Sequence, residues 1–325
     1  MLRFAVEAGS PELLEMLLVM TAADYGAVGP DVWDSWKAEI VADLYYRAMA
    51  HLAGDTAATS CDEQWQQRRA EIALCLGPQA ADPWFACQIA ALGPAYLDST
   101  SPPQIAADLQ LLRGLAPTEA IAQGQYLPET QTMLFTVATS ERAAAGIFHR
   151  LTGALTSQGL AIRSAQINTL ADGLVIDRFW TSDPDFAGPP SSERIGRVKG
   201  ALVESLRVAS NESPAFRRTW QADRPRPAAL PTAEARVQID NSSSQRYTVL
   251  DVFAHDRVGL LYAITRRLFE LGLSVWRAKI ATHLDQVLDV FYVTDQAGEK
   301  IQDEPRLEDI RRQLREVIDR PADGS

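Results

Sequence analysis

Two stretches of this chain are copies of one another. Residues 147–169, IFHRLTGALTSQGLAIRSAQINT, and 260–282, LLYAITRRLFELGLSVWRAKIAT, align without a gap at a constant offset of 113. Thr152, Leu155, Gly159, Leu160, Ala165, Ile167 and Thr169 meet Thr265, Leu268, Gly272, Leu273, Ala278, Ile280 and Thr282. Past a hairpin that is shorter by a residue in the second copy, Asp177, Phe179 and Asp183 meet Asp289, Phe291 and Asp295. Core, glycine and turn positions coincide together, so the carboxyl-terminal half is a duplicated unit.

In each copy an apolar helical stripe ends at a glycine, Gly159 or Gly272, where a left-handed backbone costs least. Short β-branched and aromatic runs follow, and Asp172-Gly173 marks a hairpin. The predicted order is β-α-β-β-α-β, a ferredoxin-like unit with helices on one sheet face. The other face, or an edge strand, is then free to pair with the sister copy. Upstream the pattern is helical. Ser10-Pro11-Glu12 is a helix start, and Leu13, Leu14, Leu17 and Leu18 continue it. The predicted fold class is α+β: an amino-terminal helical region followed by two ferredoxin-like βαββαβ domains. The expected boundaries are 1–55 (helical), 56–128 (helical connector), 131–210 (first unit), 211–235 (linker) and 236–321 (second unit). The linker reading rests on ESPAFRRTWQADRPRPAALPTAEA, rich in Pro, Arg and Ala with no apolar period.

Charge and composition narrow the function. A formal net charge of −11 repels phosphate backbones and anionic lipid, so neither nucleic acid nor membrane is expected as a partner. The three cysteines, Cys61, Cys75 and Cys87, lack metal-site spacing and read as buried, inert thiols of a reducing compartment. The amino-terminal apolar run carries glutamates, which argues against a signal peptide, and the expected location is cytoplasmic. Trp33, Trp36, Trp84 and Trp180 read as core.

His255-Asp256 is a doublet of the kind metal phosphohydrolases use, but it stands between a strand pattern and a helix with no suitable histidine nearby. The alternative is a loop built to hold a small ligand. Asp256-Arg257-Val258-Gly259-Leu260-Leu261 leads into a helix whose amino terminus offers N–H groups and partial positive charge, and Gly259 lets a ligand approach the backbone. A carboxylate suits that end, and Asp256 suits an ammonium. Gly146-Ile147 is the equivalent place in the first copy. This reading expects an open hollow beside Gly259, facing the sister unit. Asp177 and Asp289 read as structural in the sheet, with ligand contact the alternative.

That segment resembles the D-R-P-G-L-L signature of ACT domains, which commonly bind amino acids. ARVQIDNSSSQRYTVLDVFAHDRVGLL, ATHLDQVLDVFYVTDQAGEKI and LLVMTAADYGAVGPDVWDSWKAEIVADLY resemble the carboxyl-terminal portion of the PII uridylyltransferases. That family joins a nucleotidyltransferase, an HD-type phosphohydrolase and a tandem ACT pair that senses glutamine. The resemblance makes residues 1–55 the tail of an HD domain and matches Asp24 to the family's last metal-ligand aspartate, a lone candidate ligand on what reads as an apolar helix face. It implies glutamine as effector, and the PII protein or a separate catalytic chain as partner. No cofactor is expected, and magnesium only if a catalytic domain is supplied elsewhere. The chain departs from the pattern in three ways: no nucleotidyltransferase motif, Val258 in place of proline, and a first loop, SERAAAGIF, that is longer and also lacks proline. The HD histidines would lie before residue 1. The expected function is the regulatory, amino-acid-sensing part of such a protein. The alternatives are residual HD-type phosphodiesterase activity and a ligand-free interaction module acting in trans.

Overall fold

The computed structural model describes residues 10–28, 41, 44–45, 48, 54–93, 96–97, 100–186, 188–207, 216, 235–242, 244, 246–283 and 286–319. The chain divides into two compact units, 1–74 and 75–325. The first carries helix α1, Pro11–Val28, and most of helix α2, Gly54–Leu76. Ser10 opens α1 as the sequence predicts: its hydroxyl accepts from the Leu13 N–H at 3.2 Å. Leu14 is buried, but Leu13, Met16, Leu17, Val19 and Met20 are exposed. Asp24 is exposed too. It therefore does not sit on a buried apolar face, and solvation removes the penalty that would have called for a metal or a paired cation. Trp33, Trp36 and much of the 1–55 segment lie outside the described residues, and of Cys61 only the backbone, in α2, is described. Cys75 and Cys87 are exposed rather than buried, because they fall on the outward faces of α2 and of α3, Pro83–Ala91. Trp84 and Trp180 are half-buried.

The second unit opens with α3 and α4, Pro102–Arg113, and then builds one eight-stranded antiparallel sheet. Its strands are β1 Ile121–Leu127, β2 Thr132–Ser140, β3 Ala161–Thr169, β4 Leu174–Ser182, β5 Arg236–Asp240, β6 Thr248–His255, β7 Ser274–His283 and β8 Gln286–Thr294. The order across the sheet is β1-β2-β4-β3-β7-β8-β6-β5. Helices α5 (Ile147–Ser157), α6 (Ser192–Arg207), α7 (Leu260–Glu270) and α8 (Glu304–Ile318) complete the two modules. The α+β class and the duplication stand. Within each module, however, the described order is ββαββα, because the edge strand beside β2 or β6 arrives from upstream through a hairpin. An antiparallel edge next to the first core strand can be filled from either chain direction. The first module therefore starts at Ile121, inside the stretch read as helical connector. The signal was weak: AIAQGQYL is broken by Gln and Gly. Gly124 has a packing reason, since a Cβ there would come within 2.8 Å of Ile195 and Phe135.

The modules join edge to edge through β3 and β7, with Gln166 opposite Lys279. Those residues are repeat equivalents, so a pseudo-twofold axis passes between them. Thr152 and Thr265, again equivalents, meet on the same axis with hydroxyls 3.2 Å apart where α5 packs on α7. One apolar core runs beneath both modules. Phe148 bridges it, lying 6.3 Å from Phe179 of its own sheet and 6.4 Å from Phe291 of the sister's.

The first module is also fastened to the connector. Asp108 of α4 takes bonds from Tyr96 and from Arg178 of β4, all three side chains buried. Burial alone would lower the Arg178 pKa, but the Asp108 charge and Tyr96 raise it; burial and Asp108 push the Tyr96 phenol well up. Gln88 of α3 donates to Asp172 in the β3–β4 turn at 3.1 Å, and Thr139 donates to the Glu119 carbonyl at 2.9 Å.

Candidate functional site

Each module places a glycine between its first core strand and the helix that follows. Gly146 (φ 68°) caps α5, and Gly259 (φ 79°) caps α7. Both need the left-handed region that an L side chain rarely adopts. Behind each glycine stands the first turn of a helix, whose N–H groups mostly lack intrahelical acceptors. At the second loop Leu260 N–H is already taken by the Arg257 carbonyl at 3.0 Å.

The predicted residues separate by role. Gly259 and Leu260 are buried, Asp256, Arg257 and Leu261 half-buried, and Val258 is 50% exposed. His255 is exposed at the end of β6. Among the described residues no group of three His, Cys, Asp or Glu side chains could hold a metal, at the His255-Asp256 doublet, at Asp24 or elsewhere. Arg257 turns away from the loop: its Nη2 donates to the Val317 carbonyl at 2.9 Å, near the end of α8. Arg150 does the same in the first module, donating to the Ser205 carbonyl of α6 at 3.3 Å. Each module thus spends an arginine on clamping its second helix.

The space over both glycines is filled, in different ways. In the first loop the His149 ring lies against Gly146, and a Cβ built there would also come within 3.0 Å of Phe269 Cδ2 from the sister module. His149 and Phe269 have ring centroids 4.9 Å apart. Burial pushes the His149 pKa down to about 4, with Arg150 and Arg266 adding to the fall, and its Nδ1 has no hydrogen-bond partner. In the second loop Phe216 covers Gly259: a Cβ there would lie 2.8 Å from Phe216 Cε2. The Phe216 ring sits edge-on to Tyr262 at 5.4 Å and is itself 37% exposed. The open hollow expected beside Gly259 is therefore occupied. A surface hollow of about 370 Å³ lies instead in the connector, lined by Gln79, Asp82, Phe85, Gln110, Arg113 and Gly114.

Beneath the first loop's sheet lies a feature composition does not predict. Asp177 alternates with Val175 and Phe179 onto the helix-covered face and is 1% exposed. Burial pushes its pKa up to about 8. The Asn168 N–H reaches one oxygen at 3.4 Å, and Oδ2 has no partner. Asp289, its repeat equivalent, is equally buried.

Two helix-capping glycine loops on a twofold-related ββαββα pair define an ACT-type regulatory architecture. A family model described as an ACR9-like, ACT-like domain matches residues 236–323. The chain as a whole is homologous to bifunctional uridylyltransferase/uridylyl-removing enzymes. That of Azospirillum brasilense is 32% identical over 326 residues, covering 96% of this chain and 33% of the relative. That of Novosphingobium aromaticivorans is 32% identical over 317 residues, covering 95% and 33%. That of Caulobacter vibrioides is 31% identical over 320 residues, covering 96% and 33%. The chain therefore spans about a third of the length of these relatives. Among the described residues no helix is long and apolar enough to cross a membrane.

Proposed function

We propose that this chain is an amino-acid-sensing regulatory segment of a uridylyltransferase-like protein, with glutamine as effector. The ligand carboxylate would lie at the first turn of α7, beyond the Leu260 N–H that the Arg257 carbonyl already holds, and Asp256 would accept from its ammonium. The observation that carries this reading is that the two glycines open α5 and α7, the helices that meet between the modules through Thr152 and Thr265. A ligand there touches the element that would move. Binding that favours one arrangement of the seam would bias a catalytic domain attached to this chain or supplied in trans, with a coupling of about 1–3 kcal/mol being typical.

Hydrolysis centred on Asp24 has no support in the exposed position of that side chain. A ligand-free interaction module remains the competing reading, and the filled space over Gly259 is the observation that favours it. Calorimetry on the full chain separates the two. Heat with glutamine and none with glutamate supports sensing, and silence across a panel of amino acids supports interaction alone. Gly259→Ala, whose Cβ would crowd the site at a left-handed backbone, is expected to weaken glutamine binding roughly tenfold with the circular dichroism unchanged.

A further inference from the structure

We infer that the face of the second module's sheet turned away from α7 and α8 is a docking surface for an acidic, helical surface of a partner protein. Such a partner would extend the helix layer that α3 and α4 begin over the first module. The inference stands whether or not the glycine loops take a ligand.

Three observations carry it. The first is a set of arginines seated on aromatic rings. Arg236 lies over Phe253 at 4.2 Å and Arg277 over Tyr292 at 5.6 Å. Arg246 lies over both Tyr247 and Trp276, at 5.4 and 5.3 Å. Phe253 and Tyr292 alternate with the buried Val252 and Phe291, so they face away from the core, and the set spans β7-β8-β6-β5. Trp276 stands at the β7 bulge and is fixed by its bond from Nε1 to the Thr294 hydroxyl at 2.8 Å. Among the described residues none of these three guanidinium groups has a hydrogen bond or an ion pair, whereas Arg266, Arg311 and Arg312 of the same module are all ion-paired. A guanidinium stacked on a ring keeps its N–H edges for a carboxylate, and Trp, Tyr and Arg are the residues that dominate protein interfaces. The second observation is charge. Lys279 shares the face with the three arginines, and Asp240 and Asp251 only partly offset them, in a chain whose total is −11. Two copies of this face would repel one another, and an acidic surface would match it. The third is continuity with an existing interface. On the same side of the sheet the first module already takes helices: Asp108 of α4 meets Arg178, and Gln166 donates to the Thr100 hydroxyl at 3.5 Å. By repeat and register, Ser164, Gln166 and Ile121 stand there where the second module has Arg277, Lys279 and Arg236. The cationic half therefore continues a surface that already accepts a helix and its carboxylate.

The probe is an amphipathic helical peptide with a leucine stripe flanked by glutamates, made also with glutamine or lysine in place of each glutamate. Anisotropy titrations use the full chain. The glutamate peptide is expected to bind, to weaken as salt rises, and to bind roughly tenfold more tightly than the glutamine peptide. Arg236→Gln, Arg246→Gln and Arg277→Gln together are expected to weaken it roughly tenfold, with the denaturation midpoint as the folding control. Should that variant fail to fold, Arg246→Glu alone answers the same question: it is expected to lose affinity for the glutamate peptide and gain it for the lysine peptide. A photo-cross-linking side chain at position 253 is expected to capture the bound peptide. Equal affinity for the glutamate and glutamine peptides, equal affinity of parent and arginine variants, or binding without capture at position 253 overturns the inference. Tighter binding of a single-stranded oligonucleotide of the same net charge overturns it in favour of a phosphate ligand.

Discussion

The two glycine loops are copies in sequence and backbone, yet they are closed by different things. Gly146 is covered by His149 and Phe269, a histidine and a phenylalanine anchored in packed helices. Gly259 is covered by Phe216, which reaches in from the linker. The first module is also bolted to the connector through the buried Asp108, Arg178 and Tyr96 side chains, whereas Val290 stands on the second module's strand next to Asp289, as Arg178 stands next to Asp177. The difference teaches how a duplicated fold divides its labour. One copy has its loop closed by side chains of both modules' helices and is tied to the connector, while the other has its loop covered by a ring from outside the named helices.

The largest test of that contrast is Asp108→Ala. It leaves a buried guanidinium and a phenol without their shared acceptor, and we expect a loss of about 3–5 kcal/mol in chemical denaturation. Val290→Ala removes two buried methyl groups and is expected to cost about 2 kcal/mol. Equal losses would mean that the connector does not hold the first module in any special way.

Asp177→Asn comes next. With its folded pKa raised to about 8, the carboxyl stays protonated in the native state while the unfolded chain ionises near its ordinary value. The native state then binds more protons across that window, so stability is full below about pH 4 and is lost as pH rises to about 8. The asparagine variant is expected to be more stable than the parent by roughly 1–3 kcal/mol at pH 8, with the gap closing toward pH 4. The same substitution at Asp289 shows whether the second module carries the same burden.

His149 gives a smaller effect of opposite sign. Its pKa is depressed to about 4, so the unfolded state binds the extra proton, and the stabilisation is present above about pH 6.5 and lost on descent to about 4. Because the ring is only half-buried, we expect about 1 kcal/mol after solvent screening, absent in His149→Phe. Phe216→Ala closes the series: a partly exposed ring should change stability by no more than about 0.5 kcal/mol, and a larger loss would make its packing on Gly259 and Tyr262 part of what holds the second module.

Much of this was legible in the sequence. The repeat was visible because Thr152, Gly159 and Ile167 sit at positions where packing and backbone geometry allow few substitutes, and their equivalents serve the same places in the second copy. Gly259 was legible for the same reason, and its backbone does take the left-handed region that favours glycine. The Ile121–Leu127 strand was not, because an edge strand buried on one side needs little apolar character and here carries Gln and Gly. The Asp108–Arg178 pair was hidden by a sequence separation of 70, and nothing local marks either as paired. Phe216 was unreadable for a related reason: one aromatic in a Pro- and Arg-rich linker has no period to show which surface it meets. Arg257 looked like a ligand contact by its place in the motif, and only the fold reveals the Val317 carbonyl it holds.

The most direct test of the account is amide hydrogen exchange on the full chain, with and without glutamine, read at residues 255–262 and 141–149 together. The account predicts slowed exchange at the second loop and no change at the first loop. Protection confined to the first loop, or none at either under saturating amino acid, would contradict it.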